Sequence, residues 1–241
     1  SFHNSRESGV LGLLDGFNRQ NFRVNLDQAL TDELTFQAGA FYGRSHSDDG
    51  ENTGIFFGLR FLEPDTDLLA PNLDGSPFNA NIYRAPLSGN VVNPLYGLAN
   101  TPITRDRDRF NGTFKLTYKP LTWLTAEGNM NYEQSGQMYK TFTPRGFLNS
   151  RGAKGVGALF QSSTVERAAN MGATLTAVRE TQWFNNTTKL AYVFEDQSLN
   201  RVSANASRLG VARVPEFSAA TLAAGEVVPR SRTETIRNQN I

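Results

Sequence analysis

The sequence predicts an all-β, antiparallel fold, and three observations carry that expectation. Six segments of about ten residues each alternate apolar with polar side chains, roughly twice the length of an average globular strand. Short polar turns join these segments into three pairs, while long stretches rich in Gly, Pro, Asn and Asp separate one pair from the next. Tyr42, Tyr118, Trp123, Tyr132, Trp183 and Phe194 stand near the segment ends.

The first pair covers Asn21 to Ser45, NFRVNLDQALTDELTFQAGAFYGRS. Phe22, Val24, Leu26 and Leu30 share one face against Asn21, Arg23, Asn25 and Asp27. After Thr31-Asp32-Glu33 the rhythm resumes, with Leu34, Phe36, Ala38, Ala40 and Tyr42 against Thr35, Gln37, Gly39 and Gly43. In the second pair Phe110, Gly112, Phe114, Leu116 and Tyr118 alternate with Arg109, Asn111, Thr113, Lys115 and Thr117, and Lys119-Pro120 marks the expected turn. Its returning strand sets Leu124, Ala126, Gly128, Met130 and Tyr132 against Thr125, Glu127, Asn129, Asn131 and Glu133. In the third, Ala169, Met171, Ala173, Leu175 and Ala177 oppose Asn170, Gly172, Thr174 and Thr176; Arg179-Glu180-Thr181 is the expected turn. Phe184, Asn186, Thr188, Leu190, Tyr192 and Phe194 then oppose Asn185, Thr187, Lys189, Ala191, Val193 and Glu195.

The separating stretches run approximately from Ser45 to Asp108, Ser135 to Val165 and Asp196 to Thr235. Structureless loops beyond about 12 to 15 residues are uncommon in compact soluble domains, so three in succession count against such a domain. Alternation of tight turn and long loop assigns the turns to one end of the sheet and the loops to the other. Within the loops, Phe56-Phe57-Gly58-Leu59-Arg60-Phe61 and Gly155-Val156-Gly157-Ala158-Leu159-Phe160 read equally as short helices or as loop strands. Ser1-Phe2 reads as the end of a strand and Thr235 to Ile241 as the beginning of one, as though the chain were cut from something longer.

Composition narrows the function. Twenty-four basic and 23 acidic side chains give a net charge of +1, which argues against a nucleic-acid binder working through a basic face. A hydrophobic fraction of 39% is low for a globular core, yet 11% aromatics is too many for a disordered chain. With no Cys, neither a disulfide framework nor a thiolate metal site is possible. No run approaches the ~18 apolar residues of a membrane-spanning helix, and no signal peptide opens the chain.

A transmembrane β-strand needs ~9 to 11 residues and alternates a lipid face with a lumen face, and all six segments meet both demands. A soluble sandwich also alternates, but it gathers its rings at mid-strand. Tyr42, Tyr118, Trp123, Tyr132, Trp183 and Phe194 instead suit the aromatic girdles of a membrane barrel. Because Arg or Lys at the bilayer midplane costs about 2 to 4 kcal/mol, Arg23, Lys115 and Lys189 belong to a watery lumen with Asp27, Glu127 and Glu195. Asn186 and Thr188 fit lipid poorly, so their strand lines a neighbour or sits lower. Single-chain barrels begin at about eight strands and lipid satisfies no open sheet edge, so the chain, read as one partial barrel domain over residues 1–241, is expected to be a slice of a larger barrel.

Four stretches carry a family resemblance: FRVNLDQALTDELTF, the loop motif Asn93-Pro94-Leu95, RFNGTFKLTYKPLTWLTAEGNMNYEQS and the terminal RTETIRNQNI. In their order and spacing they resemble the middle of a SusC/RagA-type TonB-linked outer-membrane protein, of which this chain would be about a quarter. The resemblance implies a barrel of about 22 strands around a plug, the plug itself not being encoded in this chain. It further implies coupling to TonB through that plug, a SusD-like surface lipoprotein over the extracellular loops, and import of oligosaccharides, peptides or similar oligomers across the outer membrane. No cofactor and no enzymatic step are expected.

Candidate sites are few. His46 in Arg44-Ser45-His46-Ser47-Asp48-Asp49 has the residue types of a nucleophilic site, but a polar loop is the favoured reading. Asp48-Asp49-Gly50-Glu51-Asn52 lacks the ligand series of an EF-hand, and Asp65, Asp67 and Asp74 are discounted likewise, so no metal is expected. Arg151 to Gly157 is Gly-rich, but its Lys precedes the last glycines and no Ser or Thr follows it, unlike a phosphate-binding loop. For ligand binding, Phe56, Phe57, Phe61, Tyr83 and Tyr96 offer rings that stack on sugars or anchor a partner, or that pack the loop on itself. Arg23, Asn25, Asn129, Asn131 and Glu133 line the solute path or contact the plug. Two other classes remain: a soluble or surface-displayed β module that recognises ligands through long loops, and an outer-membrane enzyme, for which no nucleophile constellation emerges.

Overall fold

Each of the six alternating segments is a strand of one antiparallel sheet. The computed structural model describes residues 1–8, 12–48, 54–60, 62, 64, 66–72, 75–80, 83–85, 89–91, 93–149, 152–220 and 227–240. In chain order the elements are β1 (Phe2–Glu7), β2 (Phe17–Ala29), β3 (Leu34–Ser47), α1 (Gly54–Leu59), β4 (Tyr83–Ala85), β5 (Gly89–Val91), α2 (Pro94–Asn100), β6 (Ile103–Leu121), β7 (Leu124–Thr143), β8 (Ala158–Glu180), β9 (Asn185–Ser207) and β10 (Val227–Asn240). Eight strands pair in the order β1-β2-β3-β6-β7-β8-β9-β10, and β4 with β5 forms a separate ribbon inside the first long connection. This is the antiparallel meander expected of a barrel segment.

The register aligns the alternating faces across the sheet. Leu26, Ala38, Phe114, Met130, Met171 and Phe194 follow one another through successive pairings, and so do Val24, Ala40, Gly112 and Tyr132. One face therefore carries a continuous apolar belt across β2 to β9. A shift of one residue on any strand would turn its apolar set to the opposite side. Among the described residues no helix is long and apolar enough to cross a membrane, which leaves open crossing by strands.

Two of the short turns lie later along the chain than the sequence suggests. Thr31 closes the β2–β3 turn, its hydroxyl accepting from the backbone N–H of Leu34 at 3.1 Å. Between β6 and β7 the ladder closes on Leu121 opposite Leu124, so the turn is Thr122-Trp123 and not Lys119-Pro120. The register shifts between Tyr118 and Leu121, because Pro120 has no N–H to give the ladder and is accommodated by a bulge. The β8–β9 turn likewise lies at residues 181–184 and not at Arg179-Glu180-Thr181, with Thr181 N–H donating to the Phe184 carbonyl at 3.0 Å.

The long connections are shorter than the sequence suggests. Strand structure continues to Ser47 on β3 and resumes at Ile103 on β6; it runs to Thr143 on β7, resumes at Ala158 on β8, extends to Ser207 on β9 and begins again at Val227 on β10. In these extensions neither face is continuously apolar, so the alternation that marks a strand is lost while the backbone ladder persists. Gly157-Ala158-Leu159-Phe160 leads into β8, and Phe56 to Leu59 is helical, which decides the two ambiguous segments. The chain's first and last segments are strands as expected, although β10 begins eight residues before Thr235.

Beyond the belt, the extended strands gain a small core of their own. Phe142, Leu159 and Ala206 stand side by side on β7, β8 and β9, and Leu209 and Ala219 of the third connection close over them. Leu209 is fully buried there. In the first connection Asn93 is fully buried and caps α2: its Oδ1 accepts from Leu95 N–H at 3.0 Å, and its Nδ2 donates to the carbonyls of Leu68 and Asn79, each at 2.9 Å. Pro94 occupies the first turn, where no N–H is needed. The Asn93-Pro94-Leu95 motif is thus a cap that also pins two remote points of the loop.

Candidate functional site: the polar face of the sheet

The face opposite the belt is built from the alternate positions of the same strands. Arg23, Asn25 and Asp27 of β2, Gln37 and Phe41 of β3, Asn111, Thr113 and Lys115 of β6, Glu127, Asn129, Asn131 and Glu133 of β7, and Lys189 and Glu195 of β9 all fall on it by register. The charges that lipid excludes are therefore together on one side, as the energetic argument requires. Two ion pairs bridge β6 and β7, Arg109 to Glu133 at 2.7 Å and Lys115 to Glu127 at 3.0 Å. Both are half exposed, so each contributes at most about 1 kcal/mol.

Arg23, Asn129, Asn131 and Glu133 are brought together on this face. Arg23, Phe41, Asn111 and Glu133 occupy one row across four strands, and the Arg23 guanidinium lies 5.4 Å from the centre of the Phe41 ring. Asn111 Nδ2 donates to Asn131 Oδ1 at 3.2 Å. Asn129 lies over Gly172 on β8, where an added Cβ would clash with its Oδ1. Chemically this is a set of amides, carboxylates and cations able to exchange hydrogen bonds with a polar solute.

Of the loop rings, Tyr96 is turned away from that set. Tyr96 is 3% exposed; its ring stacks on Phe147 at 4.9 Å and its hydroxyl accepts from Leu148 N–H at 3.0 Å, so it packs one loop on another. Phe56 on α1 is exposed. Phe57 and Tyr83 fall in α1 and β4, with side chains outside the described set, and Phe61 lies outside the described residues.

The remaining candidates take structural roles where they are described. His46 Nδ1 stands 2.7 Å from Asp106 Oδ1 on the belt side of the sheet, above the belt, while period two turns Ser45 and Ser47 to the other side. Asp48 accepts from the backbone N–H groups of Asp15 and Gly16 at 2.8 and 2.7 Å, tying down the β1–β2 connection. Asp67 accepts from Leu69 N–H at 2.9 Å as a turn residue. Gly155 N–H donates to the Phe147 carbonyl and Gly146 N–H to the Gly155 carbonyl, making the Gly-rich stretch a small hairpin. Asp49, Gly50, Glu51, Asn52, Asp65, Asp74 and Arg151 lie outside the described residues.

On the belt face, the rings mark its two borders. Phe22, Tyr42, Phe110, Tyr132 and Phe194 end the unbroken apolar runs toward the long connections, and Tyr118, Trp123 and Trp183 lie toward the short turns. Asn186 and Thr188 fall beyond Leu190, Thr188 level with Ala177 and Leu124, so they sit lower on the sheet, next to the turns. The border is stepped. Phe22, Tyr42 and Phe110 share one row, which continues to Gln134, Arg167 and Ser198, whereas the border on β9 is Phe194, four residues nearer the turns. Four residues are roughly 14 Å and three strand spacings from β6 to β9 are also roughly 14 Å, so a border level in a membrane needs strands tilted by about 45° there. Averaged over the five spacings from β2 the tilt is about 30°, and the two values bracket the 35 to 45° usual for membrane barrels.

The sequence matches no protein-family model, and it matches no curated protein. Solved structures do match. The chain is similar to the RagAB peptide transporter at 9% identity and a TM-score of 0.70, over 91% of this chain and 25% of that one. The RagAB peptide importer in its closed-closed state aligns at 10% identity and TM-score 0.71 over 92% and 25%, and in its open-open state at 11% and 0.73 over 91% and 24%. The chain thus spans about a quarter of the length of the structures it matches, and at such identities the likeness is one of fold: an antiparallel β-barrel segment like that of a transporter.

Proposed function

We propose that the chain is part of an outer-membrane, TonB-dependent transporter of the SusC/RagA type, which imports peptides, oligosaccharides or similar oligomers together with a SusD-like surface lipoprotein. The observation that carries this reading is the apolar belt: a contiguous face of exposed Phe, Leu, Val, Met and Tyr side chains, bordered by rings and backed by a predominantly polar face. Monomeric soluble proteins rarely expose apolar patches beyond a few hundred Å². Here lipid covers one face and the solute path runs along the other. The fold likeness to RagAB supports the same reading.

In this account the segment performs no covalent chemistry. Its strands hold the lumen open, its polar face presents amides and charges to the solute, and release follows movement of a plug coupled to TonB. The test is fractionation of the full-length parent protein. It is expected in the outer-membrane fraction, extractable only with detergent and migrating as a heat-modifiable barrel on gels. A parent that is monodisperse in buffer without detergent would contradict the proposal and restore the reading of a surface-displayed binding module.

A further inference from the structure

The net charge of +1 is not spread evenly over the polar face. Two adjacent hydrogen-bonded rows cross all eight strands toward the long connections. One row holds Arg19, Arg107, Arg201 and Arg232; the other holds Arg105 and Arg230. Glu7 is the one carboxylate in either row among the described residues. In the rows nearer the short turns the balance reverses, with Asp27, Glu127, Glu133, Glu166, Glu195 and Glu234 against Arg23, Arg109, Lys115 and Lys189.

Arg105-Asp106-Arg107-Asp108-Arg109 explains how a neutral-looking sequence makes a one-signed surface. Period two sends the three arginines to the polar face and the two aspartates to the other, where they meet His46 and Arg44. The carboxylates nearest in sequence are thereby kept from neutralising the guanidinium groups. Arg232 pairs with Glu234. The other five arginines of the two rows meet no carboxylate among the described residues: Arg19 donates from Nε to Asn21 Oδ1 at 3.1 Å, Arg107 to Ser135 Oγ at 3.5 Å and Arg201 to Thr164 Oγ1 at 3.2 Å, while Arg105 lies 5.5 Å from the Tyr139 ring centre. All five are exposed. Arg19, Arg105 and Arg107 border a recess of about 520 Å³ between β2, β3 and β6.

Resting on the transporter reading above, we propose that this arginine field is a binding site for the carboxylates of an extended acidic peptide at the outer mouth of the lumen. Guanidinium groups grip carboxylates through paired N–H donors, and every cation in the two rows is Arg and none Lys. Successive polar-face side chains on β6 are about 6.8 Å apart, the same spacing as alternate side chains along an extended peptide. A peptide lying along β6 with acidic residues at every second position meets Arg105, Arg107 and Arg109 in turn. The carboxylate-rich rows beyond would weaken its hold as it moves inward, favouring passage over retention.

The test uses the full-length parent with its partner lipoprotein in detergent. Three probes are compared: a fluorescent decapeptide with Glu at alternate positions, its Gln counterpart, and an oligouronate. The acidic peptide is expected to bind about tenfold or more tightly than the Gln peptide at low salt, the difference shrinking as salt rises. The triple variant R105Q/R107Q/R201Q is expected to abolish that preference, and the matching triple Lys variant to retain part of it, both keeping heat-modifiable migration. Equal binding of the two peptides by the unaltered protein, or a preference that survives in the Gln variant, overturns the proposal while leaving the transporter reading in place. An oligouronate that displaces the acidic peptide at lower concentration overturns the assignment to peptide. Loss of the partner lipoprotein from the Gln variant with unchanged peptide binding reassigns the field to that contact. Binding of neither peptide overturns the proposal, and the transporter reading falls with it only if the parent also needs no detergent.

Discussion

At the scale of single residues, facing decides what a position tolerates. Leu116 and Thr117 are neighbours on β6 with side chains on opposite faces, Leu116 within the belt and Thr117 opposite Glu127. Leu116→Arg puts a guanidinium into hydrocarbon near mid-belt and is expected to destabilise the folded parent by about 2 to 4 kcal/mol. Thr117→Arg places the same group beside a carboxylate in water and is expected to change stability by less than about 1 kcal/mol. Urea titration of the parent folded in lipid vesicles, read by the heat-modifiable band, checks both; equal losses would mean the two faces see the same solvent. Arg23, Asn129, Asn131 and Glu133 were legible in the sequence as a polar set because period two alone assigns a face. The arginine field was not, because it forms only when rows from β2, β6, β9 and β10 are aligned, although the RDRDR run is a local sign of it. Tyr96 was left between two roles for a plain reason: a ring in a loop has no periodicity to say whether it faces solvent or the partner ring of Phe147.

At the scale of elements, belt segments and strand extensions are held by different forces. Within the belt the sequence shows each strand clearly, since one face is apolar and the other polar. Above it, residues 134–143, 158–168 and 196–207 keep the ladder while neither face stays continuously apolar, so hydrophobic alternation no longer marks strands whose backbones remain fully paired. Their own packing comes from Phe142, Leu159, Ala206, Leu209 and Ala219. Leu209→Ala removes the buried centre of that cluster, and large-to-small changes of this kind cost about 2 to 5 kcal/mol. The expected outcome is faster proteolysis within residues 208–220, with the β8–β9 ladder at Leu175 and Leu190 still protected from hydrogen exchange. Loss of protection at both levels would show that extension and belt unfold together. Turn positions were legible to within a few residues, and their displacement at Lys119-Pro120 follows from a bulge that proline imposes and no periodicity reveals.

At the scale of the whole molecule, the claim is that a single sheet separates lipid from a polar path. Three independent lines meet there: the apolar belt and its rings, the stepped border that calls for strands tilted by about 30 to 45°, and the fold shared with RagAB. The sheet has an open edge at β1 and another at β10, and hydrocarbon would satisfy neither, so the transporter reading requires both edges to be paired in a closed wall. The most direct measurement is the accessibility of spin labels at Val24, Leu116 and Leu175 in the full-length parent reconstituted in bilayers, with Thr117 and Asn131 as polar-face controls. The account predicts that the first three relax with lipid-dissolved oxygen and are shielded from a water-soluble nickel reagent, and that the controls do the reverse. Labels at Val24, Leu116 and Leu175 that respond to the aqueous reagent and not to oxygen would contradict it.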